Sequence, residues 1–105
     1  MVWPQDADGD VLRRMESSGF DFKTSADIDF NIDFNDWPPP KKFIDDLRKQ
    51  FSKVIVYEPD EHGSGYVRII VTALVTYELV MFVQSSVSEL VAPFGGICES
   101  WGVLH

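Results

Sequence analysis

Residues 26–34 read Ala-Asp-Ile-Asp-Phe-Asn-Ile-Asp-Phe, an alternation of apolar and polar side chains with a period of two. Because a β-strand sends successive side chains to opposite faces of its sheet, this pattern predicts a strand with one buried and one open face. The buried face holds Ala26, Ile28, Phe30, Ile32 and Phe34, and the open face holds Asp27, Asp29, Asn31 and Asp33. Alternate residues of a strand lie ~6.6–6.8 Å apart, within the ~8 Å screening length of physiological salt. The carboxylates therefore project a joint negative field, which predicts a cationic partner.

The length predicts a single domain spanning residues 1–105. The composition predicts that this domain is globular, since 45% of the residues are hydrophobic and 25% are charged. Seventeen acidic residues against nine Lys and Arg give a net charge of −8, which disfavours direct binding to nucleic acid or to an anionic membrane. Nine of the acidic residues and only three of the basic ones lie in residues 1–36. Most of the negative charge therefore surrounds the alternating stretch.

The compartment is predicted from cysteine usage and from the N-terminus. The chain has one cysteine, Cys98, which cannot form an internal disulfide, so we expect a reducing compartment. Residues 1–10 have neither a basic start nor an apolar run, which predicts no signal peptide or anchor. The longest apolar stretch, around 79–83, is far below the ~20 residues that a membrane span needs. We therefore expect a cytoplasmic protein without membrane contact.

Hydrophobic periodicity and turn residues predict seven elements. A short first helix is expected to end before Gly19, and a second helix follows the run Trp37-Pro-Pro-Pro40. Thr76 is the predicted N-cap of a third helix. The polar run 59–65 reads as a hairpin loop between two strands. The predicted bounds are helices over 10–18, 41–51 and from 77 to about 92, and strands over 26–35, 53–57, 66–72 and 97–103.

After the first helix this order is β-α-β-β-α-β, which predicts an α+β fold: a ferredoxin-like α/β sandwich with an antiparallel four-stranded sheet and an extra N-terminal helix. Strand 26–35 is then central and lies beside strand 66–72. If Val67, Ile69 and Val71 face the helices, Arg68 shares the open face with the aspartates and partly offsets their repulsion. The alternative interpretation of this face is a merely solvated sheet surface.

No catalytic residue, metal site or cofactor motif is predicted. The run Asp6-Ala-Asp-Gly-Asp10 has the first three acids of a calcium loop, but Val11 replaces the turn glycine and Ser17 the final acid, so helix capping explains it better. Cys98 lies in an apolar strand without a basic neighbour, which favours a packed thiol. RNA binding through the sheet is disfavoured, because its aspartates would repel phosphates.

Three stretches carry a family resemblance. Residues 10–21 read Asp-Val-Leu-Arg-Arg-Met-Glu-Ser-Ser-Gly-Phe-Asp, residues 77–79 read Tyr-Glu-Leu, and residues 99–102 read Glu-Ser-Trp-Gly. Together they resemble the regulator of ribonuclease E activity B (RraB) family. The resemblance covers the chain from Asp8 to Leu104. The resemblance implies an acidic bacterial α/β-sandwich protein of the cytoplasm that has no catalytic activity. It also implies a ribonuclease E inhibitor, which binds that enzyme and lowers its cleavage of RNA.

Two functional hypotheses follow. In the first, the protein is a regulator whose partner-binding residues are Asp27, Asp29, Asp33 and Asp36, and whose partner is ribonuclease E or another basic protein, such as a toxin nuclease. Trp37 or Trp101 could add an aromatic anchor, although a core position is favoured for Trp101. In the second, a ferredoxin-like module self-associates through its open sheet face, or holds a small ligand at a dimer seam, and buries Tyr66, Ile70 and Thr72. The predicted oligomeric state is a monomer or a weak homodimer. An enzyme ranks third.

Overall fold

The computed structural model describes residues 3–103, apart from the side chain of Glu99. Four residues lie outside the described part of the chain: Met1, Val2, Leu104 and His105. The predicted domain 1–105 includes all four of them, and the family likeness includes Leu104. In chain order the elements are α1 (Ala7–Ser17), β1 (Ala26–Phe34), α2 (Lys41–Gln50), β2 (Lys53–Tyr57), β3 (Tyr66–Ala73), α3 (Tyr77–Val91), a short 3₁₀ turn (Ala92–Phe94) and β4 (Gly96–Val103). The predicted order of elements is confirmed.

Within residues 3–103 the strands form one antiparallel sheet in the order β2-β3-β1-β4. Strand β1 is central, as predicted, and Phe30 pairs with Ile69 on one side and with Trp101 on the other. The β1–β4 register shifts between Asn31, which pairs with Ser100, and Ile32, which pairs with Cys98. The sequence did not predict this irregularity. The α+β class is confirmed.

The core lies between one face of this sheet and the three helices. Ile28, Phe30 and Ile32 are fully buried, while Ala26 and Phe34 are half-buried and pack against the same cluster. The buried face predicted from the alternation is therefore confirmed. The helices contribute Leu12 and Met15 from α1, Phe43, Ile44 and Leu47 from α2, and Val83, Val87 and Val91 from α3. Since the helices join the core on this face, the opposite face of the sheet is left open.

The helix ends follow local capping chemistry. The Asp6 carboxylate accepts a hydrogen bond of 2.7 Å from the backbone N–H of Gly9, so α1 begins at Ala7. The predicted start at residue 10 was wrong, because the first acid of the run is the N-cap. Gly19 has a φ of 85°, a left-handed conformation that suits glycine after a helix end. The Thr76 hydroxyl accepts from the N–H of Leu79 at 3.1 Å, which confirms that N-cap.

Candidate functional site

The candidate site is the open face of the sheet. Asp27, Asp29 and Asp33 of β1 lie there, on the side opposite the buried Ile28, Phe30 and Ile32. We call the surface around these three aspartates the acidic sheet face. The fourth predicted partner-binding residue, Asp36, is exposed in the loop between β1 and α2 and lies beyond the end of the strand. The structure therefore brings three of the four predicted residues onto one strand face.

The carboxylates differ in what they already bind. The Thr72 hydroxyl of β3 donates a hydrogen bond of 2.5 Å to Asp27. Within residues 3–103, the carboxylates of Asp29 and Asp33 have no hydrogen-bonding or ion-pair partner, although both residues are half-buried between neighbouring strands. Their oxygens are therefore available to an incoming donor, and both residues lie on the central strand, which is paired on both sides.

A row of polar side chains crosses the middle of the face. The Arg68 Nε donates to Asn31 Oδ1 at 3.0 Å, and the Asn31 Nδ2 donates to Ser100 Oγ at 3.1 Å. The row spans β3, β1 and β4, and it confirms that Arg68 shares the face with the aspartates. Because Asn31 accepts one guanidinium N–H, it fixes the position of the positive charge among the acids.

An aromatic pair borders the face on its β2–β3 side. The Tyr57 and Tyr66 rings are stacked, with centroids 4.6 Å apart and planes 15° apart. The Arg68 guanidinium carbon lies 5.3 Å from the Tyr57 centroid and 5.8 Å from that of Tyr66, within cation–π range. The sequence prediction noted Tyr66 and missed Tyr57. The available signal was that the two tyrosines flank the polar loop 58–65, and the observed register of the hairpin makes them direct partners.

Neither tryptophan considered as an anchor lies on this face. Trp101 pairs with the buried Phe30, packs half-buried against the core, and donates from Nε1 to the Asp8 carboxylate at 2.7 Å. Trp37 also packs against the core, and its Nε1 donates to Glu58 at 3.0 Å. The favoured core position of Trp101 is confirmed. The aromatic surface next to the acidic sheet face belongs to the two tyrosines instead.

The acids of the calcium-like run have structural partners. Asp6 caps α1 and also accepts a hydrogen bond of 2.6 Å from the Tyr77 hydroxyl of α3. These bonds hold the Asp6 pKa below its ordinary value, the Tyr77 bond having the largest effect, and the same contact raises the pKa of Tyr77. Asp8 accepts from Trp101 and from Gln84. The helix-capping interpretation is confirmed for Asp6.

The Cys98 thiol is half-buried and packs against the core. Burial, together with the negative charge of Asp8, raises its pKa to about 11. At neutral pH the thiol is protonated, and a protonated thiol is a poor nucleophile. The expectation of a packed thiol is confirmed.

These features define a small α+β domain that presents an open, acidic sheet face. Residues 5–103 match the model of the family RraB, regulator of ribonuclease activity B. The chain belongs to this family, whose members are regulators of ribonuclease activity, and the resemblance noted from the sequence is confirmed. A search of curated proteins and a search of solved structures each returned no match. The ferredoxin-like assignment therefore stays a prediction. Within residues 3–103, no helix is long and apolar enough to cross a bilayer.

Proposed function

We propose that this protein binds a ribonuclease of the ribonuclease E type through the acidic sheet face and lowers its cleavage of RNA, without catalysing a reaction itself. The family supports regulation of a ribonuclease. The observation that carries the proposed surface is the row formed by Asp27, Asp29 and Asp33, which lies on the central strand, on the face opposite the one where the described helices join the core. Asp36, in the following loop, extends the negative charge beyond the strand.

The partner chemistry follows from charge. A ribonuclease binds the phosphates of RNA through lysine and arginine side chains. The carboxylates of the acidic sheet face can bind the same side chains in place of phosphates. Alternate residues in an extended basic segment are ~6.6–6.8 Å apart, which matches the step from Asp27 to Asp29, while Asp29 and Asp33 are two such steps apart because Asn31 lies between them. Each exposed charge pair contributes only ~0.2–1 kcal/mol, so several must form together. The main effects of such a surface are on association rate and specificity.

The neighbouring tyrosines suit an anchor. Tyr57 and Tyr66 are stacked and half-buried, so little side-chain freedom is lost when a partner covers them. Tyrosine and arginine are enriched among residues that dominate binding energy. A basic segment bound along β1 would contact the aspartates of that strand, and it could also contact the two tyrosines on the neighbouring strands β2 and β3.

The chief alternative is self-association face to face, burying Tyr66, Ile70 and Thr72. The apolar side chains on this face favour it, since Ile55 and Ile97 are 38% and 60% exposed. Face-to-face stacking would, however, desolvate the carboxylates of both copies against a surface rich in the same charge, which is costly. A basic partner removes that cost, and we therefore rank it first. The proposed cytoplasmic location fits the unpaired Cys98 thiol.

The test compares two variants that each lose four negative charges. The face variant carries Asp27→Asn, Asp29→Asn, Asp33→Asn and Asp36→Asn. The matched control carries Asp45→Asn, Asp46→Asn, Glu78→Gln and Glu89→Gln, four exposed positions on helices α2 and α3. Binding to purified ribonuclease E and cleavage of an RNA substrate are measured at low and high salt.

We expect wild type and control to bind and inhibit alike. We expect the face variant to bind about tenfold more weakly or worse, because several pairs of ~0.2–1 kcal/mol are lost together. The salt dependence of binding should also decrease. Equal binding by the face variant, with an unchanged salt dependence, would reject the acidic sheet face as the contact. Failure of the wild type to bind would reject ribonuclease E as the partner.

A further inference from the structure

We propose that strand β2 is a dimerisation edge, which pairs antiparallel with β2 of a second copy to make one continuous sheet of eight strands. Within residues 3–103 the sheet order is β2-β3-β1-β4, in which β2 has a neighbouring strand on one side only. The N–H and C=O groups on its outer side are therefore turned away from β3, and such an edge is a template for a further strand. This proposal is independent of what the acidic sheet face binds.

The burial pattern shows that the outer flank of β2 is incomplete. Val54 and Val56 face the helices, since they pair with Ile69 and Val67 of the core. Those two partners are fully buried, whereas Val54 and Val56 are only half-buried. The core-facing side chains of β2 are therefore partly exposed to solvent at this edge of the sheet. A second copy laid alongside would remove the remaining apolar surface from water.

The two edges of the sheet differ in protection. Strand β4 has a register shift in its pairing with β1 and contains two glycines, features that bend or weaken an edge. Strand β2 reads Lys53-Val-Ile-Val-Tyr57 and pairs with β3 in continuous register, without proline, glycine or an acid. Lys53 is its only charged residue, so β2 is the less protected of the two edges.

The sequence of β2 complements itself. In an antiparallel pair centred on Ile55, that residue lies opposite Ile55 of the second copy, and Val54 lies opposite Val56. Lys53 lies opposite Tyr57 on the open face, where an ammonium group beside an aromatic ring is favourable. No like charges meet across this pairing. A shift of register by one residue would place side chains of opposite faces together, so the central register is strongly preferred.

The dimer also separates the acidic rows. The two β1 strands would be five strand spacings apart, about 24 Å, or about three times the ~8 Å screening length. Edge pairing about a twofold axis therefore avoids the repulsion that face-to-face stacking would cause. Both open faces lie on the same side of the continuous sheet. Because five-residue strands bury less than the ~1,200 Å² of a standard interface, we expect a weak dimer that forms with rising concentration.

A cysteine pair tests the register directly. Opposite residues of an antiparallel pair have Cα atoms ~4.5–5.5 Å apart, within the ~4.4–6.8 Å range of a disulfide. Ile55→Cys is compared with Ile97→Cys on the β4 edge, both with Cys98→Ala. If disulfides formed only by random collision, the cysteine at position 97 would react faster, because the side chain of Ile97 is 60% exposed and that of Ile55 is 38% exposed. We expect Ile55→Cys to form a disulfide-linked dimer several-fold faster under mild oxidation. An equal or faster reaction at position 97 would overturn the proposal.

Sedimentation equilibrium supplies a second, non-covalent readout. We expect the mass of the wild type to rise with concentration from 11.9 kDa towards twice that value. Ile55→Lys and Ile55→Glu should each remain monomeric, because each places two like charges opposite one another, while an equimolar mixture of the two should associate. Circular dichroism checks that both variants are folded. A wild type that stays at 11.9 kDa throughout, or variants that associate like wild type, would contradict the proposal.

Discussion

The indole Nε1 of Trp101 donates a hydrogen bond of 2.7 Å to Asp8 Oδ1, a contact across 93 positions of the chain. The Gln84 amide of α3 donates to the same oxygen at 3.3 Å. One carboxylate therefore joins α1, α3 and β4. Since α1 contributes Leu12 and Met15 to the core, this contact helps to set how the first helix lies on the rest of the molecule.

Removing the Asp8 carboxylate is expected to destabilise the fold. In Asp8→Ala the partly buried indole N–H of Trp101 loses its acceptor, which costs about 1–3 kcal/mol of unfolding free energy. Trp101→Phe removes the donor as well as part of the ring, and the double variant should cost less than the sum of the two. Urea unfolding measures all three. The exposed Asp45→Ala on α2 is the control, and an Asp8→Ala variant as stable as this control would contradict the prediction.

The Asp6–Tyr77 hydrogen bond predicts a pH dependence of stability. The folded-state pKa of Asp6 lies below its ordinary value of 3.8, so its contribution is present above that value and is lost as pH falls through the folded pKa. The pKa of Tyr77 is raised above 10.0, so its contribution is present below pH 10 and is lost as pH rises through the folded value.

We therefore expect Tyr77→Phe to be less stable than wild type near neutral pH, with a difference that shrinks in acid. Chemical unfolding of both proteins across the acid range measures this difference. Ser86→Ala on the same helix serves as the control. A gap between wild type and Tyr77→Phe that stays constant down to the lowest pH would show that the Asp6 carboxylate does not take part.

Two glycines of the β2–β3 hairpin should respond differently to alanine. A Cβ on Gly65 would lie 2.6 Å from the Trp37 ring and 2.8 Å from the Pro59 ring, so Gly65→Ala forces the buried contact apart and should cost about 1–3 kcal/mol. A Cβ on Gly63 would meet no atom of the described residues within 4 Å, and Gly63→Ala is expected to change stability little. Thermal unfolding compares the pair, and equal midpoints would refute the close packing of Trp37 on this turn.

The acidic sheet face should be slightly unfavourable for stability. We expect Asp29→Asn with Asp33→Asn to raise the free energy of unfolding by a few tenths of a kcal/mol at low salt, with a smaller gain at high salt. The helix-surface pair Asp45→Asn with Asp46→Asn is the control. Urea unfolding at two salt concentrations measures both. No gain at either concentration would favour the interpretation of this face as an ordinary solvated surface.

The element order was predictable because its signals are local. The alternation in residues 26–34 defines both faces of β1, Thr76 supplies its own capping oxygen, and Pro40 precedes the first residue of α2. The placement of Arg68 among the aspartates followed from the same period of two, applied to β3. Three of the four predicted site residues were thus placed on one face by pattern alone.

Other features escaped prediction because the sequence shows no period for them. The start of α1 depended on which of several nearby acids caps the helix, and Asp6 does so. The register shift near Ser100 breaks the alternation in β4. The stacking of Tyr57 on Tyr66 required the hairpin register, which the length of the loop alone does not specify.

By itself, the sequence determined which side chains share a face of each strand and where most of the helices begin, because these depend on neighbours a few residues apart. Only the tertiary structure decided that Asp8 meets Trp101 and that Arg68 lies between Asn31 and the tyrosines. Each of these joins residues far apart in the chain. Their proximity follows from the order of strands in the sheet and from how the helices pack on it, which short-range periodicity does not encode.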